Sequence, residues 1–124
     1  MLLAVDVGNT NIVIGVWQGD KTIARFRITT RHDATSDEYV SLAHGLLGDI
    51  KLGKGSVEGA VMSSVVPPLV PRLVKVIERI AGVEPLVVGP GVKTGLNILY
   101  EDPREVGADR IVNCVAALSR WQPP

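Results

Sequence analysis

Cysteine and histidine are scarce in this sequence: among 124 residues there is one cysteine, Cys114, and there are two histidines. A lone cysteine excludes an internal disulfide and makes a reducing, cytoplasmic setting the expectation. His32 and His44 stand 12 positions apart with no acidic or sulfur companion at ligand spacing, which argues against a metal centre built on them. An excess of charge is also missing. Lys plus Arg and Asp plus Glu each number 13, so no net positive field exists to hold nucleic acid or an anionic membrane surface, and neither is expected as a partner. No charged n-region leads into an apolar h-region and a cleavage site. Apolar stretches such as Val61 to Val66 fall far short of the roughly 20 residues that cross a bilayer, so the expectation is a soluble protein. What remains is 46% hydrophobic and 21% charged residues, a globular composition on a chain long enough to bury one core.

Apolar periodicity sets the order of elements. Met1 to Val7, broken only by Asp6, and Ile12 to Trp17 read as buried strands, and Gly8-Asn9-Thr10-Asn11 between them has the turn chemistry of a β-hairpin. After Gln18-Gly19-Asp20, the stretch Thr22 to Ile28 alternates imperfectly and predicts a third, more exposed strand. Thr35 and Glu38 are spaced as a capping box, and Val40, Leu42, Ala43, Leu46, Leu47 and Ile50 continue a helical stripe to about Ile50. Val57 to Val65 predicts a strand. Pro67-Pro68 then opens a helix with Leu69, Val70, Leu73, Val74, Ile77 and Ile80 on one face, ended by Gly82. Pro85 to Val88 is a short strand candidate, and Asp102-Pro103-Arg104-Glu105 marks another helix start. Three strands, helix, strand, helix, strand, helix make an α/β layer system with a mixed sheet and helices packed on it.

The segment with the most chemistry is Asp6-Val7-Gly8-Asn9-Thr10-Asn11, at the end of one buried strand and the turn into the next. Gly8 lets backbone approach an anion, and the Asn9 amide and Thr10 hydroxyl can donate to phosphate oxygens. Asp6 is a carboxylate in an apolar strand, where burial without a partner is costly. A hydrated Mg2+ on nucleotide phosphates would supply that partner. A plain hairpin turn, with Asp6 accepting local backbone hydrogen bonds, accounts for the same residues.

Placed at the start of a three-strand meander, this motif resembles the first phosphate turn of the actin-like ATPase and sugar-kinase superfold. Three further stretches narrow the resemblance: Ser63-Ser64-Val65-Val66-Pro67-Pro68, Val88-Gly89-Pro90-Gly91-Val92-Lys93-Thr94-Gly95-Leu96, and Tyr100-Glu101-Asp102-Pro103-Arg104-Glu105-Val106-Gly107-Ala108-Asp109-Arg110. Together they are similar to type III pantothenate kinases. The resemblance implies a single actin-like (ribonuclease H-like) lobe and transfer of the ATP γ-phosphoryl group to the primary hydroxyl of pantothenate, the first step toward coenzyme A. It implies that Asp6, Val7, Gly8, Asn9, Thr10, Asn11, Ile12 and Val13 form the ATP-binding segment, with Asp6 reaching Mg2+ indirectly through the nucleotide. It implies that Gly107, Ala108, Asp109 and Arg110, with Tyr100, contact pantothenate, and that Asp109 accepts the hydroxyl proton. Without the family, Asp109 and Arg110 read as an adjacent charge pair on a solvated helix face.

The same resemblance implies a monovalent cation, K+ or NH4+, whose ligands are expected in a second lobe, and a homodimer. No counterpart of a second phosphate turn occurs in residues 1–124. The expectation is therefore the N-terminal lobe of a two-lobe kinase, inactive alone; a non-catalytic nucleotide-binding or regulatory module of the same fold is the alternative. Cys114, among Val112, Val115 and Ala116, reads as a buried thiol rather than a nucleophile. Arg25, Arg27 and Arg31 read as solvated charges. Ser63-Ser64 lacks a positioned base and reads as a strand-end structural pair.

Overall fold

A computed structural model describes residues 1–50, 52, 55–89 and 116. Among the described residues, five strands and two α-helices follow one another as β1 (Leu2–Val7), β2 (Asn11–Gln18), β3 (Lys21–Thr29), α1 (Ser36–Leu47), β4 (Gly59–Ser64), α2 (Val70–Ala81) and β5 (Leu86–Val88). The strands form one mixed sheet in the order β3-β2-β1-β4-β5, antiparallel from β3 to β1 and parallel from β1 to β5. This is the α/β lobe expected from the resemblance. The helix start at Asp102 and Cys114 lie outside the described residues. Among the described residues no helix is long and apolar enough to cross a membrane.

The side-chain period of two explains which face is covered. Register places Leu3 beside Val16, Val5 beside Ile14 and Val7 beside Ile12, with Ala60 and Met62 of β4 flanking Leu3 and Val5. All of these are buried, and they share one core with Tyr39, Val40, Ala43 and Leu47 of α1 and Leu73, Val76, Ile77 and Ile80 of α2. A residual cavity of about 20 Å³ between helices and sheet touches Val5, Ile14, Tyr39 and Val76. The intervening residues, Leu2, Ala4 and Asp6 of β1 and Val13, Gly15 and Trp17 of β2, occupy the opposite face. There the indole of Trp17 lies over Gly15, where an added Cβ would come within 2.2 Å of ring carbon Cζ3. Mid-strand Gly15 is thus a seat for the ring, next to the register shift between Val16 and Trp17.

Local signals end the helices as the sequence predicts. Thr35 Oγ1 accepts from the Glu38 amide at 3.2 Å, and Glu38 Oε1 accepts from the Thr35 amide at 3.3 Å, completing the capping box. Gly82 closes α2 in the left-handed conformation at φ 73°, its amide donating to the Glu78 carbonyl at 2.9 Å. In α1 two details differ from expectation. The α-helix stops at Leu47, and Gly48–Ile50 tightens into a single 3-10 turn. The buried stripe of α1 is also rotated: Leu42 is 44% exposed, whereas Tyr39 is 4% exposed. Tyr39 is drawn inward because its hydroxyl is fully used, donating to the Arg31 carbonyl at 2.7 Å and accepting from the Arg31 amide at 2.9 Å.

Candidate functional site

The carboxyl ends of the parallel neighbours β1 and β4 lie side by side, the place where open α/β sheets present ligand-binding groups. Their register pairs Asp6 with Ser63 and Val7 with Ser64. Ser63 Oγ donates to Asp6 Oδ1 at 2.7 Å, and the Val65 amide donates to the Val7 carbonyl at 3.0 Å. Asp6 itself is exposed, on the sheet face that the described helices leave open. This corrects the expectation of a buried carboxylate short of a partner: the alternation of the strand turns Asp6 outward, and Ser63 supplies the partner. Ser63 is buried at 6% exposure, and its hydroxyl holds one carboxylate oxygen from the neighbouring strand while the group keeps acceptor capacity on its solvent side.

Directly after Asp6 and Val7, the chain reverses through Gly8, Asn9 and Thr10. The Gly8 amide donates to the Asn11 carbonyl at 2.9 Å. A Cβ on Gly8 would stand 3.0 Å from that same oxygen, so the tightness of the turn itself favours glycine. The segment that leaves β3 underpins the reversal. Thr30 Oγ1 donates to the Gly8 carbonyl at 2.7 Å, the Thr30 amide donates to the Thr10 carbonyl at 2.8 Å, and His32 Nε2 lies 3.3 Å from the Asn9 carbonyl. Arg72 of α2 secures that segment in turn, its Nη1 donating to the His32 carbonyl at 2.7 Å and the Ala34 carbonyl at 3.1 Å.

Of the residues assigned to the ATP segment, Asp6, Asn9 and Thr10 are exposed, Gly8, Asn11 and Val13 are half-buried, and Val7 and Ile12 are in the core. Val7 and Ile12 can meet a ligand only through their backbone. Tyr100, Gly107, Ala108, Asp109 and Arg110 lie outside the described residues. Ser63, Thr30, His32 and Arg72 carry roles at this site that the sequence reading does not assign. The one legible hint was the pair of hydroxyls at the end of a strand. Ser64 keeps the structural role expected of it, accepting from the Val66 amide at 3.0 Å, while Ser63 reaches across to Asp6. Arg31 pairs with Asp33 and Glu38 at 3.8 and 3.5 Å in solvent, as expected of a surface charge.

A carboxylate braced at a strand end, next to a tight turn with outward-facing polar groups, can bind the phosphates of a ligand and a cation that travels with them. Among the described residues no three His, Cys, Asp or Glu side chains converge on one point. A single exposed carboxylate such as Asp6 suits a cation that brings most of its own ligands.

Comparison with known proteins gives one consistent result. The sequence model of a family described as type III pantothenate kinase matches residues 2–124. A curated type III pantothenate kinase from Syntrophotalea carbinolica is 51% identical over 122 residues, covering 98% of this chain and 48% of the relative. One from an Exiguobacterium species is 49% identical over 124 residues, covering 100% of this chain and 49% of the relative. A third, from an Anaeromyxobacter species, is 52% identical over 122 residues, covering 98% and 48% respectively. The chain spans about half the length of the curated relatives it matches.

Proposed function

Because this chain belongs to the type III pantothenate kinase family, we propose that it supplies the N-terminal half of a site that phosphorylates pantothenate with ATP. The observation that supports this reading most directly is the Asp6 carboxylate, held at 2.7 Å by Ser63 beside the braced turn Gly8 to Thr10. In this reading the Asn9 and Thr10 amides and the Thr10 hydroxyl donate to phosphate oxygens, and Asp6 orients the waters of the Mg2+ that accompanies ATP. When bound, that ion neutralises charge on the phosphates. Asp109 accepts the proton of the pantothenate primary hydroxyl as its oxygen bonds to the γ-phosphorus and the bond to the ADP oxygen breaks. Tyr100, Gly107, Ala108 and Arg110 hold pantothenate in line for that attack. Such transfer depends on positioning and charge stabilisation more than on covalent chemistry, which suits a site built from turn amides and two carboxylates.

The proposal extends to the whole protein. A second lobe completes the phosphate site and carries the monovalent cation, K+ or NH4+, and the working enzyme is a cytoplasmic homodimer. These points rest on family membership and not on any described residue. Two measurements test the reading. Titration with Mg·ATP should shift the amide resonances of Asn9 and Thr10 in the 124-residue chain, and no shift there would remove the nucleotide assignment. A coupled assay should find negligible pantothenate-dependent ADP release from the chain alone; near-normal turnover would overturn the half-site reading.

A further inference from the structure

The three carbonyls of the Gly8 to Thr10 turn all have partners, and the partners come from the segment after β3. Thr30 takes the carbonyls of Gly8 and Thr10 through its hydroxyl and amide, and His32 Nε2, 3.3 Å from the Asn9 carbonyl, takes that oxygen in the tautomer that carries the ring hydrogen on Nε2. In a trans peptide unit the N–H points opposite to the C=O of the same plane. Holding the Gly8 and Asn9 carbonyls toward Thr30 and His32 therefore turns the next amides, those of Asn9 and Thr10, the other way. Both residues are exposed, and neither amide has an acceptor among the described residues. Consecutive amides aimed to one side form an anion-binding concavity, and their orientation is set from behind.

From this geometry we infer that Thr30, assisted by His32, is a positioning residue for the phosphate turn: it touches no phosphate, but fixes the direction of the Asn9 and Thr10 amides before an anion arrives. The inference rests on the nucleotide reading above and deepens it. Thr30 is suited to the task because it is 8% exposed and bonded at two points, so its hydroxyl has one orientation and little competition from water. Arg72 makes the brace rigid by tying the carbonyls of His32 and Ala34 to α2, which is anchored in the core through Leu73 and Val76. The ligand class is a polyphosphate ester with its divalent cation, and the contribution of Thr30 is pre-organisation, which raises affinity by lowering the ordering cost of binding.

Three variants of the 124-residue chain test this by amide resonance titration with Mg·ATP, well below the unfolding midpoint. Thr30→Val keeps the branched shape and loses the hydroxyl. It is expected to weaken Mg·ATP binding roughly five- to tenfold, with the Asn9 and Thr10 amides displaced even before ligand is added. Thr30→Ser restores the hydroxyl and is expected to bind within about twofold of the unsubstituted chain. His32→Ala removes an exposed ring and is expected to cost about two- to threefold. Equal affinity of Thr30→Val and the unsubstituted chain, or equal losses in Thr30→Val and Thr30→Ser, would overturn the inference. If Thr30→Val does not fold, His32→Ala decides, and unchanged affinity there overturns it. If Mg·ATP moves neither turn amide in the unsubstituted chain, the nucleotide reading fails and takes the inference with it. If it moves them equally in all variants, only the inference fails.

Discussion

Replacing Ser63 by alanine removes one hydroxyl and nothing else, and the structure bounds the consequences. The lost bond is 2.7 Å long and runs to a carboxylate, a class of hydrogen bond that contributes about 1.5–3 kcal/mol where both groups are desolvated. Here only the donor is buried: Ser63 is 6% exposed and Asp6 faces solvent. Water can therefore replace the hydroxyl at Asp6, and alanine leaves no orphaned polar atom behind, so the cost to stability falls to about 1 kcal/mol. For a chain of this length that is roughly 4 °C in Tm. The functional cost is separate. An unbraced Asp6 samples several rotamers, and Mg·ATP affinity should drop about fivefold, or about 1 kcal/mol. Urea unfolding and calorimetric titration with Mg·ATP measure the two effects on the same sample. Ser64→Ala is the control: it loses the contact to the Val66 amide at 3.0 Å and some stability, while leaving Asp6 untouched. Ser63→Ala binding Mg·ATP as tightly as the unsubstituted chain, or Ser64→Ala losing as much affinity, would refute the argument that Ser63 acts through Asp6.

Gly8→Ala brings a Cβ to 3.0 Å from the Asn11 carbonyl oxygen, which must give way; the expected loss is about 1 kcal/mol by urea unfolding, with displaced Asn9 and Thr10 amides in the resonance spectrum. Gly15→Ala collides with the Trp17 ring at 2.2 Å, but the atoms struck are at the free end of the side chain, so the indole should swing off the sheet. That costs its packing, about 1 kcal/mol, and shifts the Trp17 indole N–H resonance while the strand amides stay in place. Thr35→Ala removes the N-cap that meets the Glu38 amide at 3.2 Å, for an expected loss of about 1 kcal/mol in thermal unfolding followed by circular dichroism, with no change in Mg·ATP affinity.

Sequence alone determined the features whose partners lie within a few residues of each other. The capping box of Thr35 and Glu38, the stop at Gly82 and the tight reversal at Gly8 follow from spacings of three to four, where chain geometry decides the contact before any packing does, and the apolar runs at Met1 to Val7 and Ile12 to Trp17 mark β1 and β2 as buried strands. The family motifs belong here too, because residue identity in order carries them without reference to shape. Tertiary structure decided whatever depended on how the pieces meet. Ser63 and Asp6 are 57 positions apart, and only the parallel pairing of β4 with β1 makes them neighbours. Thr30 and Gly8 are 22 apart and meet because β3 returns along β2. The choice of Tyr39 over Leu42 for the core depended on the roll of α1 against the sheet, settled by a buried hydroxyl that needed both Arg31 backbone groups. The motif marked the turn proposed to face a phosphate; strand pairing decided what holds that turn and the Asp6 carboxylate in place, because pairing is set by burial across the whole sheet rather than by any local stretch of chain.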